Sequence, residues 1–202
     1  NDGRGQLNTL LLHAADGRLR LRHLLSVFQN HYDLMLVDTQ GARSVLLEAA
    51  VLASDLALSP VTPEILAARE LHRGTLQLLQ DIAPFQQWGI TPPILHLLLN
   101  RVPAVSTSAR LIQQALRQIY QAEPGVAVLA TGIPAIEAYP RAASLGQPVH
   151  RVEPRRPSGR AAPAAMDTVR ALACELFPQW REQFAQVPAR GGTTVRRSDG
   201  HA

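Results

Sequence analysis

The sequence predicts an α/β fold, a mainly parallel, doubly wound sheet with helices on both faces. Three observations predict it. The strongest apolar runs are short and continuous rather than alternating, as strands covered on both faces require. Longer stretches with helical recurrence lie between them. The connections are short, so strand and helix alternate, which calls for right-handed crossovers and parallel pairing. At 202 residues and 46% hydrophobic the chain can bury a real core, and with 4% aromatics that core must come from Leu, Val, Ile and Ala.

The elements follow in order. LNTLLLHA (7–14) reads as a strand and RLRLRHLLSVFQN (18–30) as a helix. LMLVDT (34–39) and LALSPV (56–61) read as strands. TPEILAARELHRGTLQLLQDI (62–82) reads as a helix with Thr62 as N-cap, Pro63 in the first helical position and Glu64 soon after. ILHLLLNRV (94–102) is the next strand. STSARLIQQALRQIYQ (106–121) is a Ser/Thr-capped helix with Leu111, Ala115 and Ile119 at helical spacing. VAVLATGIP (126–134) is the last strand and APAAMDTVRALACELFPQW (162–180) the last helix. HRVEPRRPSGRAAP (150–163) is a Pro/Arg-rich loop, and PARGGTTVRRSDGHA (188–202) has the composition of a disordered basic tail. The plan is one domain over residues 1–187 followed by that tail.

Composition narrows the chemistry. The net charge is +4 and the pI about 10.2, compatible with a nucleic-acid partner. All 20 basic residues are arginine. A lone cysteine, Cys174, excludes an internal disulfide framework, and within VRALACELF it reads as core. No apolar run approaches the roughly 18–20 residues of a membrane span, and no export signal opens the chain, so the cytoplasm is the expected compartment. The chain opens on NDGRGQ with its first methionine at Met35, which points to a fragment or a processed chain. The seven histidines are scattered without metal-ligand spacing, and no G-x-S-x-G elbow is present.

The candidate chemistry falls at strand ends, where ligands bind in such sheets. Asp38 closes the run LMLV and Gly41 follows in the turn. A carboxylate there can hold a metal ion against a phosphate, and a glycine lets backbone N–H groups approach a terminal phosphate. The alternative is an ordinary turn with Asp38 capping the next helix. Asn100 ends ILHLLLN and offers both a donor and an acceptor to a base edge; it can equally initiate a loop. In TGIPAIEAYPRAASLGQPV (131–149), Thr131 and Gly132 can shape a turn, and Ile133 and Pro134 can press on a planar ring. A plain strand-to-helix turn fits that segment too. Arg69 and Arg73 lie one turn apart, Arg110 and Arg117 share another helix, and Arg155, Arg156 and Arg160 crowd a loop. Such groups suit phosphate contacts or a solvated face.

In order, HYDLMLVDTQGA, ASDLALSPVTPEILAAREL, LLLNRV and TGIPAIEAYPRAASLGQPV resemble the ParA/MinD family of partitioning ATPases, the deviant P-loop group. The resemblance runs from about Leu7 to Trp180 and is closest to ParA-like proteins of integrative and conjugative elements. It implies ATP and Mg²⁺ as cofactors, with Asp38 assisting Mg²⁺ through water and Gly41 sensing the terminal phosphate. Asn100, Thr131 and Pro134 would form the nucleotide-binding set, with Asn100 and Pro134 at the adenine. It further implies an ATP-bound homodimer on non-specific DNA, through Arg69, Arg73, Arg110 and Arg117, released by hydrolysis that a ParB-like partner stimulates, and hence a nucleoid location without membrane attachment. The family's Gly-rich, lysine-bearing phosphate loop does not occur in these 202 residues. The chain is therefore expected to be a C-terminal portion, inactive as it stands. The competing expectation is a non-catalytic interaction or DNA-binding module that has lost that loop.

Overall fold

Leu95–Leu99 forms the middle strand of a parallel sheet. The computed structural model describes residues 16–40 and 44–187. Among these, three strands lie in the order β1 (Ala57–Val61), β2 (Leu95–Leu99) and β3 (Val126–Val128). Strands β2 and β3 run parallel, with Leu95 opposite Val126, His96 opposite Ala127 and Leu97 opposite Val128. Leu95, Leu97, Leu98 and Leu99 are all buried, so both strand faces are covered, as a continuous apolar run requires. The α-helices among the described residues are α1 (Arg20–Ser26), α2 (Val45–Leu52), α3 (Ile65–Ile82), α4 (Thr107–Tyr120), α5 (Ala138–Leu145), α6 (Val149–Val152), α7 (Ala165–Leu176) and α8 (Arg181–Gln186). The chain divides into two units: Asn1–Leu98 with Arg110–Val128, and Leu99–Ala109 with Leu129–Ala202.

In the first unit, Val51 and Leu52 of α2 pack on Leu78 and Ile82 of α3, with Leu19, Leu47, Leu79, Phe85 and Ile90 around them. Each fully buried aliphatic side chain stabilises by about 1.5–3 kcal/mol. Ser44 caps α2, its Oγ accepting the Leu47 N–H at 3.3 Å. Arg22 donates to the Leu52 carbonyl at 3.0 Å, and Arg18 pairs with Glu48, which ties α1 and the turn before it to α2. Helix α3 starts two residues later than the Thr62 cap predicts. The Thr62 carbonyl accepts the Glu64 N–H at 2.8 Å in a tight turn across Pro63, and Glu64, in extended geometry, is the N-cap. In α4 the buried residues include Leu116 and Tyr120, whereas Leu111, Ala115 and Ile119 are exposed. The helical period was legible, but a neighbouring ridge faces inward.

The apolar run at 34–39 does not form a strand among the described residues. Leu34, Met35, Leu36 and Val37 are exposed, Leu36 at 85%. A strand requires a neighbour to take its backbone N–H and C=O groups, and no described residue pairs with this run. The strand expected at 7–14, Gly41 and the tail expected at 188–202 lie outside the described residues.

In the second unit a carboxylate organises the approach to α7. Glu153 receives a two-pronged hydrogen bond from Arg160, one arm at 2.8 Å, and accepts the Ala165 N–H at 3.0 Å. It thereby satisfies an otherwise unpaired donor in the first turn of α7. Arg160 also donates to the carbonyls of Ala162 and Pro163, so the Pro/Arg-rich loop is wrapped around one ion pair. Arg160 is thus a structural arginine, while Arg155 and Arg156 remain exposed.

The Arg160 hydrogen bonds hold the Glu153 carboxyl below the ordinary carboxylate range, outweighing the opposing effect of burial, with help from the Ala165 N–H. A depressed acid stabilises the fold above its unfolded-state value and loses that contribution as pH falls through the folded-state value. Denaturant unfolding should therefore show wild type losing more stability than Glu153→Gln as pH drops from 7 to below the ordinary carboxylate value of 4.5. At pH 7 the variant should be about 3 kcal/mol less stable. Equal losses in both proteins would remove this pair from the stability of the second unit.

Candidate functional site

The chain immediately beyond β2 and β3 is stitched together by backbone hydrogen bonds. The Ile133 N–H donates to the Leu99 carbonyl at 2.8 Å, the Val102 N–H to the Ile133 carbonyl at 2.9 Å, and the Ala135 N–H to the Val102 carbonyl at 2.8 Å. Val102 and Pro134 form a parallel bridge. These bonds bring Asn100, Thr131 and Pro134 into one small region of the second unit. Gly132 suits this close approach: a Cβ at that position would lie 3.3 Å from Val102 Cγ2 and 3.5 Å from the Leu99 carbonyl oxygen. A side chain there would be tolerated only if the Val102 methyl gave way by a few tenths of an ångström.

Asn100 is half-buried, and its Oδ1 accepts the Arg101 N–H at 2.9 Å. Arg101 adopts φ +57°, a left-handed conformation uncommon for a residue with a side chain. The asparagine therefore initiates the turn, as one sequence alternative expected, and its Oδ1 is engaged in doing so. Thr131, Gly132 and Ile133 are half-buried and Pro134 is buried. The surface this loop can offer a planar ring is mainly that of residues 131–133.

A residue the sequence reading passed over holds this loop from the other side. Glu175, on α7, accepts the Ala130 N–H at 2.6 Å and the Thr131 N–H at 2.9 Å. The available signal was an acid inside the mainly apolar helical pattern VRALACELF. Its neighbour Cys174, read as core, is half-buried.

The other candidates lie in the first unit. Asp38 is exposed and makes no ion pair among the described residues, so its carboxylate is open to a cation. Among the described residues no group of three or more His, Cys, Asp or Glu could hold a metal ion. Metal binding by Asp38 would thus rely on ligands such as water and phosphate. Arg69 and Arg73 are exposed on α3, and Arg110 and Arg117 on α4. Arg73 is engaged by Glu70 at 2.8 and 2.9 Å. An open recess of about 370 Å³ lined by Arg117, Gln118, Tyr120, Gln121 and Val126–Val128 holds none of the nucleotide candidates. Among the described residues no helix is long and apolar enough to cross a membrane.

Comparison with known proteins bears on the fold. No protein-family model and no curated protein matches the sequence. Among solved structures, Cyanothece apo McdA is similar with a TM-score of 0.62 and 18% identity over 75% of this chain and 59% of that one. An aspartate-to-alanine variant of Cyanothece McdA in complex with ATP gives a TM-score of 0.59 and 19% identity over 72% of this chain and 55% of that one. The chain thus spans less than two thirds of the length of these structures. The likeness shows that the chain has a P-loop NTPase-like α/β fold.

Proposed function

We propose that the chain is part of a nucleotide-switched ATPase of the ParA/MinD kind that partitions or positions DNA cargo. One observation carries the reading. Asn100 and the loop 131–135 follow neighbouring parallel strands, and the residues on either side of Asn100, Leu99 and Val102, are bonded to that loop, at the place where this fold class receives ligands. The ordered family-like motifs support it, as does the fold shared with a protein solved in complex with ATP. In this reading the Asn100 amide and the surface of residues 131–133 receive adenine, with the buried Pro134 contributing at most an edge, Asp38 assists Mg²⁺ through water, and Gly41 has the role of sensing the terminal phosphate. The ion would neutralise phosphate charge, and the protein's own part is to position the nucleotide. The bound state is a homodimer that holds non-specific DNA, answers to a ParB-like partner, and serves a plasmid, a chromosome or an integrative element.

A second reading, a non-catalytic DNA-binding or interaction module, is favoured by one observation: these 202 residues contain no lysine and no Gly-rich phosphate loop. Arginine's planar fork does not replace a compact ammonium in a tight phosphate cradle.

Steady-state phosphate release separates the two readings. The 202-residue chain should release no phosphate above background. A longer in-frame product that supplies a phosphate loop should hydrolyse ATP with Mg²⁺. Asp38→Ala should lower that rate at least about tenfold with little change in melting temperature, because Asp38 is exposed. Robust turnover by the 202-residue chain would contradict the assignment, and unchanged turnover in the longer variant would remove Asp38 from it.

DNA binding has its own test. If Arg69, Arg73, Arg110 and Arg117 each neutralise one phosphate, log affinity for unrelated duplexes should fall against log salt with a slope of roughly −3 to −4. A slope near zero would sink the DNA role.

A further inference from the structure

We propose that Glu175 is a positioning residue for the base-binding loop, an assignment that rests on the nucleotide reading above. Where the chain leaves β3, the backbone N–H groups of Ala130 and Thr131 are taken by the Glu175 carboxylate, one by each oxygen, at 2.6 and 2.9 Å. Two successive N–H groups converging on one acceptor form a small anion-holding concavity. Filling it with a carboxylate gives charge-assisted bonds, stronger and better defined than neutral ones. The carboxylate comes from α7, more than forty residues further along the chain, so the contact fixes the loop to a regular element and not to its own turn.

The loop is then held at two places. Ile133 and Ala135 are bonded to Leu99 and Val102, and Ala130 and Thr131 to Glu175. Thr131, Gly132 and Ile133 lie between or at these anchor points and are half-buried, so the surface available to a planar ring is the part of the loop that both anchors define. Releasing the Glu175 anchor leaves the Leu99 and Val102 bonds in place. It frees residues 130–132 without dismantling the fold. Glu175 need not touch the ligand; it acts by presenting the loop in one conformation, which lowers the ordering cost of binding.

Glu175→Gln tests this with nearly unchanged side-chain shape. The amide keeps one acceptor oxygen and turns an N–H₂ toward the second backbone donor, so one of the two bonds must fail. In the full-length gene product three quantities are measured: amide hydrogen exchange at residues 130 and 131, affinity for ATP, and affinity for inorganic tripolyphosphate. Exchange at these two amides should rise about tenfold or more while the core of the sheet stays protected. ATP affinity should fall about tenfold, the weight of one hydrogen bond, with tripolyphosphate affinity unchanged. A positioning role for the base loop predicts that split, whereas a merely structural role weakens both ligands alike. Parallel losses for ATP and tripolyphosphate would overturn the assignment. So would unchanged ATP affinity despite faster exchange. If wild type binds tripolyphosphate and ATP equally, the base-binding reading itself fails, and the exchange measurement still reports whether Glu175 clamps the loop.

Discussion

A buried strand must find partners for all its backbone N–H and C=O groups, and in this chain that constraint falls hardest on Leu95–Leu99. Apart from His96 its side chains are leucines, and all four leucines are buried, so water is largely excluded as the partner. Pairing with Val126–Val128 answers the constraint along the strand. Just beyond it, the bonds among Leu99, Val102, Ile133 and Ala135 answer it again. The candidate site is a consequence of this second set. Asn100 and Arg101 are forced into a turn between two bonded residues, and Gly132 eases the close approach of the segments. The candidate residues therefore fall where a ladder interrupts itself and resumes.

Carboxylates do comparable work in three places. Glu48 meets Arg18 beside α2, Glu153 meets Arg160 and the first turn of α7, and Glu175 meets the loop after β3. Each joins an irregular segment to a helix by charge-assisted bonds, which impose geometry more sharply than apolar contact does. The chain has few aromatics to fill irregular gaps, and Leu- and Ala-rich surfaces leave loops weakly specified. Arginine and glutamate supply the missing definition.

Much of this was legible in the sequence. The three strands were marked by short continuous apolar runs, and the runs at 94–102 and 126–134 ended on Val102 and Pro134, the residues that form the parallel bridge. What the runs did not reveal was that strand geometry lapses between Leu99 and Val102, because a left-handed Arg101 leaves no trace in hydropathy. Helix α2 went unassigned, since its eight residues bury a wide face and present little amphipathic contrast. The run at 34–39 shows the limit from the other side: apolar composition states what can be buried, not which neighbour does the burying. In the same way, Leu111, Ala115 and Ile119 had the right spacing on the wrong face. Asn100 and Thr131 were legible as strand-end residues, whereas Glu175 depends on a contact across more than forty residues.

The central claim of the proposed function is that the segments 99–102 and 131–135 receive an adenine ring through Asn100 and residues 131–133. Photolabelling the 202-residue chain with an azido-adenine analogue of ATP, followed by peptide mass spectrometry, tests it most directly, since covalent capture reports weak binding as well as strong. The account predicts label in both segments, suppressed by excess ATP and not by excess GTP. Label confined to other peptides, or suppressed equally by GTP, would contradict it.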